Sequence, residues 1–242
     1  MQAALGMPPY PRKFSDLRAV AFWWSNQWGF ATYNPNIKTS QDLKGKTIAV
    51  RPKGGPWDLF YEFVLKYCWG IQDSVRLAPT APSDFSEAML TGTAAAAHWG
   101  SREVAQGVFL LDAGQSEMRL KRKTYFIPIS KAEFERGVKN SGNPLSFGWM
   151  EVPPGAYGPG DPQGAVGMVY YAPGPASWDM IDPEAVYEYV KAINDNRDKY
   201  AEYSPAWKGA IGGPKMSPLR LLGEQWVASG ALKYYKERGW TK

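Results

Sequence analysis

Between Thr47 and Trp69 the chain commits itself to an α/β fold. Thr47-Ile48-Ala49-Val50 is a β-branched run of the kind that buries both faces in a parallel sheet. Pro52-Lys53-Gly54-Gly55-Pro56 then breaks the backbone sharply. From Trp57 onward, apolar residues at 57, 60, 61, 64, 65, 68 and 69 recur near helical spacing. Strand, glycine loop and helix in succession form the βα half of a parallel α/β unit.

Later segments repeat the alternation. Ser74–Leu77 reads as a strand, Ser83–Leu90 as a capped helix, and Ala94–Ala97 as a small-residue strand running into His98-Trp99-Gly100-Ser101. Ser101-Arg102-Glu103-Val104 is expected to open another helix, Val108–Asp112 to be a strand, and Lys131–Lys139 to be helical. Upstream, residues 1–15 are proline-rich and read as an extended lead-in, followed over Asp16–Thr32 by two short strands around the aromatic bend Phe22-Trp23-Trp24. Downstream, Ala165–Tyr171 reads as a strand, and Pro183–Tyr203 and Gly223–Gly239 as helices. The expected organisation is two lobes: residues 1–44 in lobe one, 45–150 in lobe two, and 151–242 returning to lobe one, with a hinge in the turn-rich stretch 150–161.

Composition narrows the function classes. The net charge of +5 is carried by scattered lysines and arginines, with no basic stripe and no nucleic-acid module, so nucleic acid is not the expected partner. A mild positive field does favour an acidic small molecule. Cys68 is the single cysteine and His98 the single histidine, which leaves no disulfide, no histidine-based triad and no histidine-rich metal site. Both are expected to be core residues. No metal and no cofactor are expected, and Asp84, Glu87, Asp182 and Glu184 read as helix-start carboxylates rather than catalytic acids. No apolar run reaches the length of a membrane span. The first residues also lack the pattern of a signal peptide.

Ligands of open α/β sheets sit beyond the carboxyl ends of strands, where loops lead into helix starts. Three places have that grammar. In the first, Gly54 and Gly55 allow close backbone approach, Trp57 stands at the helix start, and Arg51 and Lys53 add charge. In the second, Trp99, Gly100 and Ser101 follow a strand. The third is Trp24-Ser25-Asn26, with Trp24 as a wall and Ser25 as a polar contact.

Val152–Tyr157, Ala185–Ile193 and Gly230–Gly239, in this order and spacing, together resemble segments of the TAXI family of solute-binding receptors of TRAP transporters. Asp42-Leu43-Lys44-Gly45-Lys46-Thr47-Ile48-Ala49-Val50, followed by its glycine loop, is similar to the second-lobe entrance of type 2 periplasmic binding proteins. Val152-Pro153-Pro154-Gly155-Ala156-Tyr157 resembles that family's Ile-Pro-Ala-Gly-x-Tyr stretch, and Ala185–Ile193 its hinge-side helix. Gly230-Ala231-Leu232-Lys233-Tyr234-Tyr235-Lys236-Glu237-Arg238-Gly239 resembles its closing motif. The resemblance implies a two-lobed, periplasmic-binding-protein-like receptor outside the cytoplasm. Such a receptor closes on a small carboxylate, with Tyr157 also lining the cleft, and delivers it to a membrane permease without chemistry. An enzyme or a ligand-free docking module on the same fold is the alternative. The family's export signal and first strand have no match here, so an N-terminally incomplete lobe one is expected. Gly54-Gly55-Pro56-Trp57 stands where the family has Gly-Ser-Gly-Thr, and Ala95 where it has Asp. Trp57 in place of a hydroxyl points to a bulkier, flatter or more apolar ligand.

Overall fold

The computed structural model describes residues 2–6, 11–105, 107–142, 147–203 and 213–241. Of the expected extended lead-in, residues 1 and 7–10 lie outside the described residues, and Gln2–Leu5 is helical rather than extended. In chain order the elements are α1 (Gln2–Leu5), β1 (Leu17–Ala19), β2 (Ser25–Thr32), β3 (Thr47–Val50), α2 (Pro56–Glu62), β4 (Arg76–Pro79), α3 (Phe85–Leu90), β5 (Ala96–Ala105), β6 (Val108–Leu111), α4 (Ala113–Lys121), β7 (Tyr125–Ile127), α5 (Lys131–Ser141), β8 (Gly148–Val152), β9 (Val166–Tyr171), β10 (Ala176–Trp178), α6 (Pro183–Asp195), α7 (Arg197–Tyr203) and α8 (Ser229–Glu237). The mixed α/β architecture expected from Thr47–Trp69 is present. The α2 helix continues as a π-helical turn over Phe63–Cys68.

One large sheet has the order β4-β3-β5-β2-β9-β8, with β6 added to β5 and β7 to β2. Only β3 pairs in parallel, with β4 and β5; the other pairings are antiparallel. Residues 101–104, expected to begin a helix, are the second half of β5. Ser101 and Glu103 lie opposite Gln27 and Ser25 of β2, and β6 closes the other side. Cross-strand pairing on both edges overrides the local helix-cap signal of Ser101. The sheet also runs across the boundary expected at residue 44: β2 lies before it and β3 to β5 after it.

Strand periodicity of two separates two cores across this sheet. One face carries Trp28, Phe30, Ile48, Phe60, Phe63, Val64 and Trp69. The other carries Ala31, Phe85, Trp99, Met118, Val152, Tyr157 and Met168. A third core joins the two ends of the chain: Val20 and Ala21 pack with Val186, Val190, Ile193, Tyr234 and Tyr235 beside the β1–β10 ribbon. Residues 20–24 connect β1 of the small ribbon to β2 of the large sheet, and residues 172–175 connect β9 of the large sheet to β10 of the ribbon. These crossings lie side by side, with Val20 N–H donating to the Pro175 carbonyl and Trp23 N–H to the Pro173 carbonyl (2.9 Å each). Of the stretch 150–161 expected to hold the return hinge, residues 150–152 belong to β8, which pairs with β9, and the rest forms the loop between the two strands.

The small lobe depends on close approach of α8 to α6. A Cβ on Gly230 would sit 1.9 Å from the Pro183 carbonyl oxygen. Gly230→Ala is therefore expected to cost about 1–3 kcal/mol through overpacking, read as a lowered thermal midpoint. An unchanged midpoint would show that the two helices can separate freely.

Candidate functional site

Arg51 follows the last residue of β3, so the sheet fixes its position. Its backbone N–H donates to the Tyr61 hydroxyl at 2.9 Å, which ties the loop to α2. Its guanidinium lies 5.3 Å from the Trp57 ring centroid, and Nη2 is 3.0 Å from Asp112 Oδ2. Arg102 reaches the same carboxylate from β5. Its Nη2 is 3.8 Å from Asp112 Oδ1, and its guanidinium stacks 4.8 Å from the Trp24 ring. Two arginine–tryptophan stacks thus flank one aspartate. Guanidinium planes suit this arrangement because they stack on aromatic faces and still present donors at their edges.

The two arginine side chains are only 20% and 24% exposed, whereas that of Asp112 is 50% exposed. Nε of Arg51 and Nε of Arg102 are both buried and meet no acceptor among the described residues. A buried charged donor without an acceptor is costly. The arrangement therefore favours an anion that can complete it.

The predicted site residues fall into two groups. Trp24, Gly54, Gly55 and Trp57 are brought together around the arginine pair. Ser25 lies beside Trp24 in a small pocket of about 20 Å³, which Glu103, Tyr170 and Lys215 also line. Lys215 Nζ pairs with Glu103 Oε1 at 2.7 Å, linking the small lobe to β5. Trp99, Ser101 and Tyr157 do not join this group. Residues 97, 99 and 101 point to the opposite face of β5, where Trp99 is fully buried and Ser101 Oγ lies 3.1 Å from the Tyr157 hydroxyl. Burial pushes the Tyr157 hydroxyl up to about 12, with its hydrogen bond to Ser101 opposing. Gly100 faces the arginine side but is buried; a Cβ there would meet His98 Nε2 at 3.4 Å and Trp28 Cδ1 at 3.5 Å.

The glycine loop differs from expectation in chemistry. Gly54, at φ +110°, donates its N–H to Asp58 Oδ2 at 2.8 Å. Trp57 folds back to donate from Nε1 to the Pro52 carbonyl at 2.6 Å, and a Cβ on Gly55 would lie 2.2 Å from that indole. The amide of Gly54 therefore serves the protein's own carboxylate, and the loop's part in the site is to seat Trp57 under Arg51. Arg102 and Asp112 are the site residues that sequence reasoning missed. The available signal was the period of two along β5, which puts His98, Gly100 and Arg102 on one face.

His98 sits at the foot of that face, fully buried among Trp28, Phe60 and Tyr61, with ring centroids 5.6–5.8 Å away. Neither ring nitrogen has a hydrogen-bond partner among the described residues. Burial, aided by the Arg51 charge, holds its pKa well below the usual histidine value. Cys68 is also fully buried, and burial pushes its thiol up to about 12. At the opposite pole of the large sheet a cleft of about 720 Å³ is lined by Lys38, Arg119, Lys123 and Tyr125, among others. No helix among the described residues is long and apolar enough to cross a membrane.

A family model described as the NMT1-like family matches residues 1–239. No curated protein matches the chain. Similar solved structures include the periplasmic aliphatic sulphonate binding protein SsuA from Escherichia coli, at 14% identity over 92% of this chain and 59% of that one, TM-score 0.36. Another is a putative periplasmic sulfonate-binding protein from Methylobacillus flagellatus KT, at 13% identity over 93% and 70%, TM-score 0.44. A third is the arginine-, lysine-, histidine-binding protein ArtJ from Geobacillus stearothermophilus, at 15% identity over 81% and 63%, TM-score 0.39. The chain spans 61% and 59% of the length of the first two solved structures it matches. The chain belongs to the NMT1-like family, and its fold is mixed α/β.

Proposed function

We propose that this protein captures a small organic anion, a carboxylate, at the Arg51–Arg102 pair and delivers it unchanged to a membrane permease. One observation supports this above the others: two stacked arginines with buried Nε donors that meet no acceptor among the described residues. Bidentate guanidinium pairing is a strong form of carboxylate recognition. The side-by-side crossings at 20–24 and 172–175 suit a hinge, so that closure of the lobes can follow binding. The solute-binding role is in keeping with the family. An extracytoplasmic location and a TRAP-type permease rest on the resemblance at residues 152–157, 185–193 and 230–239. Trp24, Ser25, Gly54, Gly55 and Trp57 belong to the proposed site, as walls and supports of the two arginines.

An enzyme on this fold is the less favoured reading. Its three candidate groups are committed elsewhere: the Cys68 thiol is buried and raised, the His98 imidazole is enclosed by rings, and Asp58 holds the Gly54 amide.

Titration calorimetry with succinate, glutamate and benzoate, and with arginine as a cationic control, tests the proposal. Saturable binding of at least one acid is expected. Arg51→Ala should weaken that binding by about 100-fold, in line with the loss of a charge-assisted contact. Binding of none of the acids, or conversion of one to a product, would contradict the proposal.

A further inference from the structure

The Asp112 carboxylate occupies the position between the arginines that a bound anion would need. It does so from an unusual place. Asp112 is the N-cap residue of α4, where a carboxylate ordinarily accepts a backbone N–H of the first helical turn. Here its side chain makes no cap hydrogen bond. It turns instead toward Arg51 at 3.0 Å and Arg102 at 3.8 Å, the second at the limit of an ion pair. Half of its surface remains open to solvent, while both arginines are mostly covered.

We propose that Asp112 is a built-in competitor with two alternative positions. In the unliganded protein it offsets one of the two arginine charges, and on binding it yields to the ligand's carboxylate and swings back to cap α4. The inference rests on the anion-capture reading above and adds a substrate class to it. With Asp112 beside them, the two arginines leave a local charge of +1, by two positive charges less one. A single carboxylate displaces a single carboxylate with no net change in the buried pairing. The site therefore selects compact monoanions, and an ammonium group on the ligand is not required. Exchange of one acceptor for another also removes the need to strip water from two bare guanidinium groups, a step that is costly in a covered site. Capping of α4 in the bound state offsets part of the energy of breaking the aspartate's own ion pairs.

The test compares wild type with Asp112→Asn by calorimetry, using benzoate as the monoanion and glutamate as an anion that also carries an ammonium group. Asparagine caps helices about as well as aspartate but does not compete as a charge. Asp112→Asn is expected to bind benzoate about ten-fold more tightly, equivalent to about 1.4 kcal/mol, while its unliganded thermal midpoint falls because the two arginines lose their counter-charge. Unchanged or weaker benzoate binding by the variant would overturn the proposal. So would a selective loss of glutamate, which would make Asp112 a direct partner of the ligand's ammonium group. Failure of wild type to bind any acid would reject the anion-capture reading itself. Failure of the variant alone to tighten would reject only the competitor role.

Discussion

Trp99→Ala should destabilise the protein by about 3–5 kcal/mol, the range for removing a large aromatic side chain from a core. Trp99 has no exposed surface and packs against Phe126 and Tyr157, with ring centroids 4.9 and 5.2 Å away. It also lies on the face of β5 opposite the arginine pair. Deleting the indole opens a cavity that the two remaining rings cannot close without leaving their own contacts. Chemical denaturation followed by circular dichroism gives the number. The companion variant Trp99→Phe keeps most of the volume and should bind a carboxylate as wild type does. A large loss of affinity in Trp99→Phe, with stability preserved, would return Trp99 to the binding site.

His98 sets the second large effect, on the pH dependence of stability. Its pKa in the fold is held well below the usual value, mainly by burial and further by the Arg51 charge. In the unfolded chain it titrates near 6.5. Between these two values the unfolded state binds the extra proton, so stability falls as pH falls. The contribution is fully present above about pH 6.5 and is lost below it at up to about 1.4 kcal/mol per pH unit. The chain has one histidine, so no other imidazole contributes to the effect. His98→Phe should flatten stability between pH 7 and 5.5. It should also raise stability at pH 7 by about 1–3 kcal/mol, because the aromatic enclosure then holds no polar nitrogen without a partner. Parallel slopes in wild type and variant would mean that His98 is protonated in the fold.

The elements that sequence pattern made legible are those whose packing needs agree with their local signals. Thr47–Val50 is buried on both sides between β4 and β5, and its β-branched run announces that. The helix from Pro56 and the helix from Pro183 have proline in the first turn and apolar residues on one side, so pattern and packing coincide. The segment from Ser101 to Val104 was misread because its decisive partners, β2 and β6, are far away in sequence or follow it. Local polarity after Gly100 resembles a helix cap; only the pairing shows a strand.

The candidate site was legible in the same uneven way. Trp24 and Trp57 were visible as aromatics at element ends, and Arg51 as a charge after a strand. Their meeting depends on Arg102 and Asp112, which belong to a strand and a helix start whose positions the sequence does not announce. The glycine loop invited an amide-based anion site. Asp58, four residues after Gly54, answers that amide from within the first turn of α2. An acidic residue at that spacing was the available warning.

Where a bound carboxylate sits decides between these possibilities most directly. A crystal structure of the complex with whichever acid binds tightest should place carboxylate oxygens within hydrogen-bond distance of both Arg51 and Arg102, with Trp24 and Trp57 alongside. The same carboxylate seated in the distant cleft near Lys38, Arg119 and Lys123, with the arginine pair still closed on Asp112, would contradict capture at the arginine pair.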